Sequence, residues 1–160
     1  MAINRTLVAG MSLSAAALVG IAVHEGYRDT AYIPVPGDVP TIGFGTTEGV
    51  KPGDRIDPVT ALQRTLTDVQ KFEGALKQCV KVPLAQHEYD VFVSFSYNVG
   101  SDKFCKSTLV RKLNAGDYSG ACQELLRWRF FQGRDCAIPR NKCSGLWKRR
   151  QEESAKCMGV

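Results

Sequence analysis

Leu62, Leu66, Val69, Phe72 and Leu76 recur three or four residues apart, the spacing that lines one side of a helix. Asp57 directly before Pro58 marks its start: a carboxylate that accepts from free N–H groups, then a residue whose fixed φ suits the first turn. Downstream, "LAQHEYDVFVSFSY" (84–97) is apolar on most sides and predicts a buried central helix that ends near Gly100. Residues 101–115 and 117–130 predict two more helices parted by Gly116, and "SGLWKRRQEESAKC" predicts a last one. Ahead of all of these, "AYI" (31–33) and "VPTIGFGTT" (39–47) predict two short strands joined by the turn "PVPGD", because Pro fixes φ and Gly permits the reversal. The pattern is that of an α+β chain, mainly α, with one hairpin.

The beginning of the chain follows a different pattern. Arg5 precedes an uncharged run from Leu7 to Val23, "LVAGMSLSAAALVGIAV", in which eight Leu, Ile, Val or Met are diluted by nine Gly, Ala or Ser. A membrane-spanning helix takes about 20 predominantly apolar residues, so this run is marginal in length and in hydrophobicity. Three readings compete. A cleaved signal peptide would use the small residues around Ala15 to Ala17, but cleavage there strips the helical lead-in from Glu25. A buried helix of a soluble domain would carry charges on one face, and a permanent anchor would be richer in Leu and Phe. An uncleaved anchor weak enough to leave the bilayer fits best, and divides the chain into an anchor segment, 1–23, and a domain, 24–160.

A chain of 160 residues suits one domain with a real core, able to split into two small lobes around a cleft. Its 21 Lys and Arg against 16 Asp and Glu leave a formal charge of +5, which favours an anionic partner: nucleic acid, lipid headgroups or an acidic cell wall. "RWRFFQGR" (127–134) mixes basic and aromatic residues, but no nucleic-acid motif surrounds it. It reads as a packed Trp128 flanked by surface arginines, and no nucleic-acid partner is expected. Six cysteines, Cys79, Cys105, Cys122, Cys136, Cys143 and Cys157, are many for a reduced compartment and allow three disulfides in an oxidising one. Buried free thiols are the main rival. A zinc site is disfavoured, because no CxxC pair exists and His24 and His87 stand far from most of the cysteines. No metal or other cofactor is expected.

Candidate chemistry centres on Glu25, the residue that ends the apolar run. Splitting a glycosidic bond needs an acid to protonate the leaving oxygen, and usually a second carboxylate to activate water or form a covalent intermediate. A carboxyl at the end of an apolar helix is partly desolvated, which suits the first role. The plainer alternative is a Glu that merely closes a membrane segment.

"EGYRDTAY" followed by "PTIGFGTT" resembles phage endolysins of the T-even lysozyme type, glycoside hydrolase family 24. The likeness continues in order through "SFSYNVG" (94–100), "STLVRKLNAGDYSGA" (107–121), "LLRW" (125–128) and "GLWKRRQEE" (145–153). The resemblance implies a two-lobed lysozyme-like fold with a small β-hairpin lobe and a helical lobe. It implies a muramidase that cuts the β-1,4 linkage between N-acetylmuramic acid and N-acetylglucosamine in peptidoglycan and so lyses the host cell. Glu25 would be the proton donor and Thr41 would hold the attacking water. Tyr97 and Asn98 match a position lining the sugar cleft, where an aromatic and an amide suit stacking and hydrogen bonding; helix-end packing is their alternative. The peptidoglycan glycan strand is the expected partner of a monomer. Some members carry a signal-anchor-release segment, which implies transient inner-membrane association through residues 7–23 and then release to the periplasm.

The family pattern is Glu, eight residues, Asp, five residues, Thr. Here Pro34 stands nine positions after Glu25, and Thr41 stands sixteen after it, so the Asp is missing from a turn that has gained a residue. Asp38 lies in this turn and is the candidate for the second carboxylate, with turn formation as its other explanation. Asp29 is a weaker candidate, expected on a solvated helix face. Arg149 or Arg150 can neutralise Glu25 across the cleft, although a run such as "KRRQEE" is more often a solvated, self-paired face. Loss of the Asp keeps a lytic transglycosylase in view, which needs one carboxyl because the sugar's own hydroxyl replaces water. A catalytically inactive wall-binding protein of lysozyme shape is the third reading.

Overall fold

Ser14 divides the apolar run that begins the chain. Its hydroxyl accepts from the Ala17 N–H and opens helix α1 (Ala15–Glu25), which closes at Gly26; before it comes a 3-10 turn at Val8–Gly10. The structure, a computed structural model, describes residues 3–160; Met1 and Ala2, the head of the expected anchor segment, lie outside the described residues. The strap before α1 is fastened to the helical body. Arg5 forks onto Glu88 at 2.6 and 2.9 Å, Thr6 bridges Leu84, and the Leu13 N–H donates to Glu73 Oε1 at 2.7 Å. Ser14 gives both its N–H and its O–H to Asp90. Val8, Met11 and Ile21 are buried in the main core. In this folded state much of the run 7–23 therefore packs with the rest of the chain, and among the described residues no helix is long and apolar enough to cross a membrane.

A small lobe follows α1. Strands β1 (Arg28–Tyr32) and β2 (Thr41–Gly43) pair antiparallel, Arg28 opposite Gly43 and Tyr32 opposite Thr41. The longer span on β1 is a bulge, which bends the strand. β1 starts before the expected "AYI", so Asp29 lies on this strand rather than on a helix, exposed and paired with Arg55 at 3.1 Å.

Helix α2 (Pro58–Cys79) links this lobe to the helical one, capped by Asp57 and Pro58 as expected. Its buried stripe, however, is Ala61, Thr65, Val69, Glu73 and Leu76, while Leu62 and Leu66 are 42% and 44% exposed. The β2 backbone explains the rotation. A Cβ on Gly43 would come within 2.9 Å of the Ala61 Cβ, so the first turns of α2 turn their small residues toward the strand and leave the leucines in solvent.

Helix α3 (Gln86–Val99) is the axis of the core, with Tyr89, Phe92 and Phe95 wholly buried. Around it pack α4 (Ser101–Cys105), α5 (Thr108–Asn114), α6 (Tyr118–Glu124) and α7 (Ser144–Met158). The helix expected over 101–115 is two, because the Ser107 hydroxyl accepts from Val110 N–H and starts a new one. The helix expected over 117–130 stops early, passes through a 3-10 turn at Leu125–Arg127 and gives way to a second hairpin, β3 (Phe130–Phe131) and β4 (Arg134–Asp135). Trp128 packs edge-on against Phe95 at 5.3 Å. All six cysteines pair: Cys79 with Cys105, Cys122 with Cys157, Cys136 with Cys143. They tie α2 to α4, α6 to α7, and the end of the second hairpin to the start of α7.

Candidate active site

A cleft of about 500 Å³ opens between the lobes. The last residue of α1 brings Glu25 to one wall, β2 brings Thr41, α2 brings Asp68, Lys71 and Phe72, and the end of α3 brings Tyr97 and Asn98. Four of the five expected site residues, Glu25, Thr41, Tyr97 and Asn98, thus line one space. A second cavity of about 510 Å³ lies behind α1, lined by His24 and His87 together with residues of α3 and α7, and contains none of the expected site residues.

Glu25 is held from below. Arg149 on α7 directs Nη1 to its Oε1 at 3.2 Å, with the Glu25 and Arg149 side chains 22% and 10% exposed. The expectation of a solvated "KRRQEE" face is corrected here, since Arg149 and Arg150 are buried. Of the two candidates for neutralising Glu25, Arg149 meets it, while Arg150 donates to the Asn98 side-chain oxygen at 2.8 Å. With that oxygen engaged, the amide NH2 is what Asn98 can offer a ligand. From above, Gly45 presses on the acid: a Cβ there would lie 3.3 Å from Glu25 Oε2 and 3.5 Å from the Tyr97 hydroxyl, and the backbone has φ of +91°. Only glycine adopts that conformation without strain and leaves this space.

Tyr97 donates to the Phe44 carbonyl at 2.9 Å and tilts against the Phe72 ring at 5.1 Å. Burial, reinforced by the charges of Asp68 and Glu25, pushes its phenol well above the usual value, so it is a neutral donor at any working pH. Thr41 is 6% exposed and donates to the Val39 carbonyl at 3.2 Å, which leaves its oxygen lone pairs free to accept from a water.

Asp38 is not among the cleft residues. It is exposed in the turn before β2, where its carboxylate accepts from the Val39 N–H at 2.8 Å, the local bond that makes Asp a turn residue. The other carboxylates in the cleft are Asp68 and Glu48. Asp68 accepts from Thr46 at 2.7 Å, and Glu48 pairs with Lys71 at the mouth. Sequence reasoning took Phe72 for core and gave Glu48, Asp68, Lys71 and Gly45 no role. The repeated Gly in "GFG" was the one signal available, since it announces a close backbone approach. Among the described residues no group of three or more His, Cys, Asp or Glu side chains comes together as a metal cage.

A two-lobed helical protein with a carboxyl, a hydroxyl, an amide and aromatic rings facing one cleft has the architecture and the groups of an enzyme acting on a glycan. The phage lysozyme family model matches residues 22–153. The chain is 38% identical over 147 residues to an endolysin of Acyrthosiphon pisum secondary endosymbiont phage 1, covering 91% of this chain and 97% of that one. It is 39% identical to the SAR-endolysin of Pseudomonas phage phiKMV, covering 90% and 87%. Its fold is similar to that of the muramidase domain of SpmX from Asticaccaulis excentricus, with a TM-score of 0.80, 27% identity and coverage of 91% and 97%. The chain belongs to the phage lysozyme family, and it is a glycoside hydrolase.

Proposed function

We propose that this protein is an endolysin that hydrolyses the β-1,4 bond between N-acetylmuramic acid and N-acetylglucosamine in peptidoglycan, with Glu25 as proton donor, Thr41 holding the attacking water, and Tyr97 and Asn98 binding the sugar. The observation that carries this is Glu25 on the cleft wall, bound at 3.2 Å by Arg149, in a cleft shared with Thr41. Glu25→Gln keeps the side-chain shape and cannot donate; its turnover on permeabilised cells should fall 10²-fold or more. Retention of a tenth of the activity removes Glu25 from the role, whereas a wild type that sediments with purified walls without cutting them would support the inactive wall-binding reading.

Asp38 lies outside the cleft, and the cleft carboxylates Asp68 and Glu48 are bonded to Thr46 and Lys71, which keeps the lytic transglycosylase, a reaction that needs one carboxyl, as second reading. The two reactions differ in their products. Hydrolysis leaves reducing sugars and the transglycosylase leaves 1,6-anhydro ends, so mass spectrometry of the muropeptides distinguishes them. Asp38→Asn should be near normal in either case, and Thr41→Ala strongly impaired only where water attacks.

The similarity to SAR-endolysins supports a further part of the proposal: residues 7–23 first lodge in the host inner membrane and the protein folds on release to the periplasm. The residues supply the physics, because the run is apolar enough to enter a bilayer and marginal enough to leave. With residues 7–23 in the bilayer, the contacts of Leu13 and Ser14 with Glu73 and Asp90 are not made, and α1 does not carry Glu25 into the cleft. Gly20→Leu, which strengthens the anchor, should delay lysis, and an uncoupler should hasten it. Lysis that responds to neither replaces the release model with an ordinary signal peptide or a cytosolic enzyme.

A further inference from the structure

Glu153 is a buried carboxylate that the proposed chemistry does not use. It is 5% exposed and lies on α7 one turn after Arg149, whose Nε donates to its Oε1 at 3.1 Å. Arg150 adds a second grip, Nη2 at 3.2 Å from Oε1 and Nε at 3.1 Å from Oε2. The same two arginines reach residues of the cleft wall: Arg149 meets Glu25 at 3.2 Å and Arg150 meets Asn98 at 2.8 Å. Carboxylate, guanidinium, carboxylate and guanidinium therefore alternate from the cleft wall into the interior. Burial pushes the Glu153 carboxyl up and the two guanidiniums oppose that rise. Burial also pulls the Arg150 guanidinium down to about 10, with Glu153 as the largest opposing charge.

A general acid must carry its proton when the sugar arrives. One guanidinium at hydrogen-bonding distance favours the ionised carboxylate, and a second behind it adds to the effect. Glu153 offsets one of those two positive charges and takes up the Nε of the arginine that touches the acid. We infer that Glu153 is a positioning residue for the general acid, balancing the Arg149 and Arg150 charges behind Glu25 and fixing the guanidinium that meets it. Other groups around the pair do not replace it. His24 adjoins Glu25 on α1, Tyr97 faces it from α3, and Arg150 acts on it from α7; besides the two arginines, Glu153 feels the positive Lys156. His87, Asp90 and Glu152 line the cavity behind α1 with Glu153, but Glu152 pairs with Lys148 and Asp90 binds Ser14 and Gln86, so none of these groups supplies a fixed negative charge against the guanidiniums.

The inference rests on the reading of Glu25 as proton donor, and the test separates the two. Turnover of purified cell walls is measured across the pH range for the wild type, Glu153→Gln, Glu153→Asp and Glu25→Gln, with a thermal melt of each. The amide should keep activity on the acidic side while its alkaline limb moves down by about one pH unit. The aspartate, one methylene shorter and farther from Arg149, should move in the same direction by less. An unmoved profile, or a loss by the same factor at every pH, overturns the inference and leaves Glu153 a structural partner. If the amide variant does not fold, the aspartate variant decides by the same criterion. Activity in Glu25→Gln overturns the donor reading itself, whereas an inactive Glu25→Gln beside an unmoved Glu153 profile overturns only the inference.

Discussion

At Gly45, one missing methyl group sets the shape of the site. A side chain there has to adopt a φ of +91° and place its Cβ 3.3 Å from the Glu25 carboxylate. Gly45→Ala should therefore lower wall-lysing activity by tenfold or more while costing about 1 kcal/mol of stability, the usual penalty for an L-residue in left-handed backbone. Equal activity with an unchanged melt would show that the loop moves aside. His24, beside the acid, offers a prediction in pH. Burial is the main cause that holds its imidazole below the usual value, with Arg149 adding to it and Glu152 and Glu25 opposing. A folded pKa below the unfolded one means that the fold prefers the neutral ring, so its contribution is complete above the unfolded value near 6.5 and is lost as pH falls below it. Chemical denaturation should show His24→Asn with a flatter stability curve just below that pH than the wild type. An identical slope would place the cause elsewhere.

Among the elements, periodicity identified α2, long enough for several turns to repeat the signal, and an apolar surface on most sides identified α3. Periodicity misplaced the face of α2. Leu62 and Leu66 are the strongest apolar residues of its first turns, but a helix bridging two lobes presents there only as much bulk as the neighbouring strand accepts, and Gly43 accepts Ala61. Val69→Ala should cost about 2 kcal/mol as a buried truncation, and Leu62→Ala within about 0.5 kcal/mol of zero as a surface change; comparable losses would put both on one buried face. The second hairpin left no periodic trace, since two-residue strands cannot show a period of two. Its turn at Gln132 and Gly133, with φ of +49° and +74°, was signalled only by the Gly. In the site the legible part was chemical: Glu25, Thr41, Tyr97 and Asn98, which line one cleft, were singled out through ordered motifs. Asp68, Lys71 and Phe72 were not, because their place in the cleft depends on how α2 is rotated.

For the whole molecule, the three disulfides divide the work of holding the helical lobe, and their effect scales with the chain each one closes. Cys122 and Cys157 are separated by 35 residues, Cys79 and Cys105 by 26, and Cys136 and Cys143 by 7. Loop-closure entropy in the unfolded chain then gives about 4, about 3.5 and about 2.4 kcal/mol respectively. The first of these fixes α7 to α6, and α7 carries Arg149, Arg150 and Glu153 beneath the acid. The third closes only the short loop between β4 and the N-cap of α7, and neither of its cysteines lines the cleft. Replacing Cys122 and Cys157 with Ala should therefore lower the melting midpoint by roughly 8–16 °C at about 2–4 °C per kcal/mol and lower activity at temperatures well below the new midpoint, since the arginine that meets Glu25 loses a fixed platform. Replacing Cys136 and Cys143 should cost less stability and leave turnover intact. Calorimetry beside wall turnover checks both, and the reverse order, or full activity in the Cys122 and Cys157 variant, would mean that α7 is held in place by its buried ion pairs and not by its covalent tie.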